Sequence, residues 1–357
     1  VSGARGHGVS RGRRHAAATE EPTGLRAVAG EEPVRLRVLV TGASGMLGRR
    51  TAERLVAAGH DVRTFQRRPA GVPGAHDALG SLTDPRAVAR AVEGRDAVVH
   101  LAAKVSVSGP LREFEQVNVE GTRTLLTAAR MVGVRRFVHV SSPSVAHTGG
   151  SLVGDGAGPA EPERAHGSYA RTKAAAELLA LAADDADLAV LAVRPHLVWG
   201  PGDTQLVARI VERARAGRLP LLDHGAAMVD SVYVDNAADA LVAALERAPE
   251  AHGQALVVTN GEPRPVGDLI AGICLAAGAP PPGWRVPAAL ARVAGGLVEA
   301  VWAVRPGHDE PPMTRFLAEQ LSTAHWFDQR RTREVLGWEP AVSLDEGLAR
   351  LAEHYRG

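Results

Sequence analysis

Cysteine is nearly absent from this sequence: Cys274 is the single one in 357 residues. No intrachain disulfide can form, which fits a reducing compartment and leads us to expect a cytoplasmic protein. Cys274 lies in the apolar stretch Leu269–Ala277 and reads as a core residue. Excess charge is missing too. The formal net charge is +1, so neither nucleic acid nor an acidic membrane surface is indicated as the main partner. No run of 18 uncharged apolar residues occurs, and no transmembrane helix is expected. No His/Cys cluster with metal-ligand spacing surrounds His100, which therefore reads as a strand residue, and no metal is expected. The remainder is ordinary for a globular protein: 45% hydrophobic and 23% charged residues. The length suffices for one large core or two modest ones.

Residues 1–33 carry Gly, Ala, Arg and Glu without apolar periodicity and read as a disordered tail. Arg13-Arg14 is not followed by the apolar stretch a twin-arginine signal needs. The folded part is expected from Val34. It is organised around Leu36–Gly48, where an apolar run runs into Gly42, Gly45 and Gly48 and then into a helix ended by Gly59. Strand, glycine turn and helix form the setting in which a backbone can approach a pyrophosphate. Ser44, Gly45, Met46, Leu47 and Gly48 are the expected contacts. The spacing is GxxGxxG, which also suits a simple tight turn.

After this helix Asp61–Phe65 reads as a second strand, followed by Gln66-Arg67-Arg68. A carboxylate commonly sits there to hold a ribose 2′-hydroxyl. None is present, and an arginine suits a 2′-phosphate, so NADP(H) is favoured through Arg67, with NAD(H) left open. A solvated basic turn is the alternative. Gly80–Pro85 closes a third strand, with Asp84 as N-cap and Pro85 as the first helical residue. Asp96–Ala103 and Phe137–Ser142 are further strands, and Asn118–Thr122 lies on a helix. Tyr169 and Lys173 share one helix face at i,i+4. An ammonium there would favour the phenolate and pull the tyrosine below its ordinary value near ~10. Leu188–Val193 and Ala255–Thr259 complete the strands, and Asp235 is expected to cap a helix over 237–246. Strands alternating with helices imply an α/β doubly wound parallel sheet, the Rossmann arrangement. The domain boundary is expected near 260: a nucleotide domain over 34–260, then a smaller mixed substrate domain over 261–357, helped by 197–230. Ser343 and Glu346 have capping-box spacing. The stripe Leu290, Val293, Leu297, Val301 reads as a core or pocket-lining helix, with an interfacial surface as the alternative.

Thr41-Gly-x-x-Gly-x-x-Gly48, Asn118, Ser142 and Tyr169-x-x-x-Lys173 together resemble the short-chain dehydrogenase/reductase superfamily. Arg194-Pro195…Gly200-Pro-Gly-Asp203 and Tyr233-Val-Asp-Asn236 point to its extended branch. Within it, Pro143–His147, Leu197–Asp203, Asn260–Pro263, and Glu310–Leu321 with His325-Trp326 resemble the 3β-hydroxysteroid dehydrogenase-like group. More narrowly, they are similar to the bacterial 2-alkyl-3-oxoalkanoate reductases of olefin biosynthesis. The resemblance covers about residues 36–357. It implies that Tyr169 is the general acid, that Lys173 lowers its pKa and binds the nicotinamide ribose, and that Ser142 donates to the substrate carbonyl. Asn118 would support the proton relay. Leu82, Leu101, Ala102, Ala103, Pro195 and Val198 would line the cofactor. Where the family often has Gly-Asp-Leu, this chain has Ser81.

The implied activity is NADPH-dependent reduction of a 2-alkyl-3-oxoalkanoic acid to the 3-hydroxy acid. A 3β-hydroxysteroid or sterol-4-carboxylate dehydrogenase is the nearest rival. A nucleotide-sugar epimerase fits less well. A dehydratase would need acids where Ser142-Pro143-Ser144 stands, and an NADP-sensing binding protein would tend to lose the tyrosine or the lysine. The expected partner is a small apolar substrate, bound in a pocket built from the Trp199 loop, the 287–304 helix and the 316–321 run. A homodimer is expected, and contact with a membrane surface or an enzyme complex stays open.

Overall fold

The computed structural model describes residues 34–106, 109–304 and 315–356. The tail over 1–33 and residues 310–314 of the Glu310–Leu321 string lie outside the described residues. Seven strands form the central parallel sheet: β1 (Arg37–Thr41), β2 (Asp61–Gln66), β3 (His76–Leu79), β4 (Ala97–His100), β5 (Arg136–Val140), β6 (Ala189–Pro195) and β7 (Gln254–Val258). Their order is β7-β6-β5-β4-β1-β2-β3. The order reverses beside β1, so a crevice opens where β1 and β4 diverge, the place where open α/β sheets bind ligands. Val38, Leu39 and Val40 of β1 are fully buried, because helices cover both faces of the sheet. On one face α1 (Met46–Ala57) packs beside the long helix Val234–Ala251. On the other, Gly121–Met131 packs on Pro85–Val92 and on α2 (Gly167–Leu181). The cap of Pro85–Val92 is as expected, with Asp84 Oδ1 accepting from the amides of Arg86 at 2.9 Å and Ala87 at 3.2 Å.

A smaller mixed sheet lies beyond the carboxyl ends of these strands. It joins Arg264–Pro265, Met228–Val229, His325–Phe327 and Leu152–Asp155 in that order. The first pair is antiparallel and the others are parallel. Segments from both sides of residue 260 therefore share this sheet. Leu336 and Trp338 return to pack with Leu256 and Val258 of β7 in the main core.

Three local expectations are corrected. Asp235 caps nothing: the helix begins at Val234 with Tyr233 as N-cap. Its carboxylate instead meets Arg50 at 2.8 Å and Arg350 at 3.1 Å, tying α1 to the last helix. Trp199 is fully buried against Tyr233, its indole N–H donating to Ser231 Oγ at 3.0 Å, so the indole itself is core, while Leu197 and Val198 of its loop are left half-buried to face a pocket. In α3 (Ala288–Val304), Ala288 and Ala291 are buried, while Leu290, Val293 and Leu297 are 60%, 64% and 66% exposed. Leu290, Val293 and Leu297 of the stripe therefore do not lie in the core. The last helix, Leu344–Arg356, makes half of its capping box. Ser343 Oγ accepts from the amide of Glu346 at 3.2 Å, while the Glu346 carboxylate turns to Arg350.

Candidate active site

The glycine turn is fixed by two contacts. Gly42 has φ +80, and a Cβ there would lie 2.8 Å from the amide nitrogen of Ala102. A Cβ on Gly48 would lie 2.4 Å from the carbonyl oxygen of Gly42. Gly45 differs: a Cβ would meet only that same oxygen, at 3.5 Å, an ordinary contact. Its missing side chain is not required by the protein's own packing and leaves room for a close approach from outside. Gly45 is also the N-cap of α1, without a side-chain cap and with no acid in the first turn. The first amides of α1, from Met46 onward, are left for an anion. Ser44 and Gly45 are exposed, and Met46 and Leu47 are half-buried. These residues fit a dinucleotide pyrophosphate.

At the end of β2, Arg67 and Arg68 are exposed. Sequence reasoning missed Asp77, the carboxylate that shapes this turn. Its Oδ1 accepts from Thr64 at 2.6 Å, Gln66 at 2.7 Å and the Ala70 amide at 3.0 Å; Oδ2 accepts from the Gly71 amide at 3.3 Å. These bonds hold its pKa below the ordinary carboxylate value, with the Thr64 hydroxyl contributing most. An acid is thus present near the strand end, but its oxygens organise the loop that presents the arginines. Ser81, in place of the family's common aspartate, bonds Thr83 within its own turn at 2.8 Å. Leu82 is buried under Gly121, while Leu101, Ala102 and Ala103 are half-buried along the mouth of the crevice. Pro195 is buried and ends β6, Leu197 takes a left-handed φ of +44, and Val198 pairs with Val232.

Ser142, Tyr169 and Lys173 come together where β5 ends and α2 begins. Ser142 caps a short turn over Pro143–Ala146 and accepts from Ser144 Oγ at 3.0 Å. Its hydrogen bond with Tyr169 favours the phenolate. Lys173 is buried, and its Nζ donates to the Val140 carbonyl at 2.7 Å. One expectation is reversed here: Tyr169 is not lowered by Lys173. Burial, opposed by the Ser142 bond, pushes the phenol up to about 12. The same loss of water lowers Lys173 to about 8, opposed by the charge of Glu177 one turn further on. Asn118 is buried in a π-wound turn over Glu115–Glu120 and bonds neither partner of the pair. Its amide clamps the Lys104 backbone at 2.7 and 3.2 Å and donates to Thr172 Oγ1 at 3.0 Å. His100 ends β4 between Thr41 Oγ1 at 2.7 Å and Thr122 Oγ1 at 3.0 Å, tying that strand to β1 and to the neighbouring helix.

Beneath Lys173 lies a second feature that sequence reasoning passed over. Glu177 and Arg194 form a buried two-pronged ion pair, 2.5 and 2.8 Å, and Arg194 also donates to the Gly158 carbonyl at 2.7 Å. The spacing of Lys173 and Glu177 repeats that of Tyr169 and Lys173, which was the available signal. Beside the Ser142 turn is a cavity of about 420 Å³ lined by Pro143, Ala146, Leu152, Arg194 and Phe327 among others. Neither Ser142 nor Tyr169 lines it, so it is not where the carbonyl chemistry sits.

Comparison with known proteins decides what this geometry belongs to. Residues 38–259 match the family model described as "NAD dependent epimerase/dehydratase family". The chain belongs to the NAD-dependent epimerase/dehydratase family. As a member of these extended short-chain dehydrogenases/reductases, it is an NAD(P)-dependent oxidoreductase. It is 43% identical over 325 residues to a 2-alkyl-3-oxoalkanoate reductase of Stenotrophomonas maltophilia, covering 88% of this chain and 98% of that one. It is 31% identical to a 3-beta-hydroxysteroid dehydrogenase of Mycolicibacterium neoaurum, covering 89% and 91%. The solved structure of MoeE5 in complex with UDP-glucose and NAD superposes with a TM-score of 0.67 at 26% identity, covering 89% of this chain and 98% of that one. Within the family frame, no helix of the described residues is long and apolar enough to cross a membrane. No group of three or more His, Cys, Asp or Glu among them could hold a metal ion.

Proposed function

We propose that the protein is an NADPH-dependent reductase of 2-alkyl-3-oxoalkanoic acids, giving the 3-hydroxy acids. The observation that carries this reading is the 43% identity to a reductase of that name, over 88% of this chain, in a chain that carries Ser142, Tyr169 and Lys173. When bound, a nicotinamide supplies the hydride. The chain's own residues do the rest. Tyr169, held protonated by its burial, gives its proton to the carbonyl oxygen as that oxygen gains charge. Ser142 donates a hydrogen bond to the same oxygen. Lys173, fixed on Val140, keeps a positive charge beside the phenolate that Tyr169 leaves behind. Arg67 and Arg68, presented by the Asp77-ordered turn, favour the 2′-phosphate of NADPH. A homodimer and a cytoplasmic setting remain part of the proposal.

Half-buried Met46, Leu47, Leu197, Val198 and Leu321 pack against one core cluster between the glycine turn and the C-terminal segment. The apolar surface they leave uncovered suits an alkyl chain better than a sugar diphosphate, which needs donors for each buried oxygen. The test is kcat/KM over a series of 2-alkyl-3-oxo acids, beside one 3-ketosteroid and one UDP-sugar. Each buried methylene contributes ~0.8 kcal/mol, so the rate constant should climb by up to about fourfold per methylene until the pocket is full. A flat series, or a UDP-sugar as the best substrate, would sink the reading; a win for the steroid would transfer it to the dehydrogenase relatives.

A further inference from the structure

Four imidazoles and one carboxylate from separate parts of the chain meet around the end of the turn that Ser142 begins and the start of the helix that carries Tyr169. His147 ends the short turn that Ser142 begins, and His166 is the N-cap of α2, three residues before Tyr169. His196 follows β6, His325 comes from the small sheet and Glu319 from the helix Arg315–Ser322. The His147 and His325 rings are 4.8 Å apart, and those of His325 and His196 stack at 5.7 Å and 7°. Glu319 is buried and meets His166 Nδ1 at 3.0 Å.

The hydrogen bonds fix most of the protons. His196 Nδ1 donates to the Asp230 carbonyl at 2.8 Å, so its Nε2 is a lone pair, and that atom is buried without a partner. The Thr323 hydroxyl donates to the Glu319 carbonyl at 2.7 Å, so His325 Nε2 must donate to Thr323 Oγ1 at 2.6 Å. His147 is the exception. It is 1% exposed, and neither ring nitrogen makes a hydrogen bond of good geometry; the Gly150 backbone is the one polar group near enough to act on the ring as a weak partner, and it raises its basicity. A buried ring whose acceptor nitrogen has no partner and whose donor has only a weak one is costly unless something else meets it.

We propose that His147 holds the acid end of the substrate, with one proton shared between its ring and the substrate's carboxyl group. This rests on the oxoacid reading above. The acid carbon is two bonds from the keto carbon that Ser142 and Tyr169 serve, and His147 stands on the same turn as Ser142. Sharing a proton keeps the pair neutral, which matters because Glu319 lies close by and a second bare carboxylate would be repelled. The groups facing His147 are Glu319 and His166 on one side and His196 and His325 on the other. Burial lowers the pKa of His147, and holds His196 at about 4 and His325 at about 3, so all three rings are neutral near pH 7 before the acid arrives.

The test compares each 2-alkyl-3-oxo acid with its methyl ester, reading the ratio of kcat/KM values. The ester cannot share a proton, and effects of Tyr169 and Lys173 on the carbonyl cancel in the ratio. In the wild type the acid should be preferred near pH 6, with the ratio falling by up to about tenfold per pH unit toward pH 8 as the shared proton is lost. His147→Phe should lower the ratio by about 10- to 100-fold and flatten its pH dependence. His147→Gln, which keeps a donor and an acceptor but cannot titrate, should restore part of the preference without the slope. A wild-type ratio that is flat with pH overturns the proposal without any variant, and so does a preference that survives His147→Phe. A wild type that reduces neither acid nor ester fails the oxoacid reading itself and takes this one with it.

Discussion

The two sides of the crevice are built in different ways. The phosphate-binding part of the cofactor side is nearly continuous in sequence: β1, the glycine turn and α1 occupy residues 37–57, and the Arg67 turn follows at the end of β2. Its geometry is set by steric facts at single positions, such as the 2.4 Å that a Cβ on Gly48 would leave to Gly42. The substrate side is gathered from at least five segments, around residues 142–147, 166–177, 194–198, 230 and 319–325. Its geometry is set by buried polar pairs that exist only once the chain has folded. A local motif can announce the first kind of site. The second kind has no spacing to read.

Four measurements would break or sharpen this contrast. Tyr169→Phe removes the proposed donor and should lower kcat/KM by ~10²–10⁴-fold while NADPH still binds, followed by cofactor fluorescence. If cofactor binding fell as steeply as turnover, the two sides would not be separable. Next is Glu177→Gln, which leaves Arg194 buried with its main partner neutral. It should cost about 3–5 kcal/mol in urea unfolding, far more than a surface ion pair such as Arg135–Asp187. A loss below about 1 kcal/mol would mean that the substrate side does not depend on this pair.

The third is a pH profile. Lys173 is charged below about 8 and neutral above it, so reduction should decline as pH rises through that value. Its folded pKa lies below its ordinary value, so the unfolded chain binds more protons between the two, and stability attributable to this group should rise with pH over the same window. Lys173→Met should remove the alkaline limb of the residual activity; a limb that persists belongs to another group. The smallest effect is expected at the cofactor side. Arg67→Ala should reduce the preference for NADPH over NADH by about tenfold, in line with one charge-assisted contact. An unchanged ratio would assign the phosphate to Arg68 or leave NAD as the natural partner.

Much of the fold was legible because parallel strands buried on both faces are short apolar runs, and helices between them carry their own caps. Asp84 caps where expected, and five of the seven strands of the central sheet begin and end within about two residues of their sequence reading; β4 stops three residues earlier than read, and β3 was marked only by the turn that closes it. Asp235 and Trp199 were misread for one reason: each looks local but has distant partners, Arg50 and Arg350 for the first and Ser231 for the second. The stripe in α3 misled differently, since periodicity identifies a helix and its apolar face but not whether that face turns inward.

The sequence by itself determined the nucleotide half, because glycine positions, strand composition and the Tyr169–Lys173 spacing act through backbone sterics over a few residues. The tertiary structure alone decided the electrostatic state of the site. Tyr169 is raised and not lowered, the Asp77 oxygens organise their own loop, and His147 is left without a well-formed hydrogen bond. Each outcome depends on how much water is removed and which dipoles remain within about 3 Å. Those quantities belong to the packed chain and have no counterpart in the order of its residues.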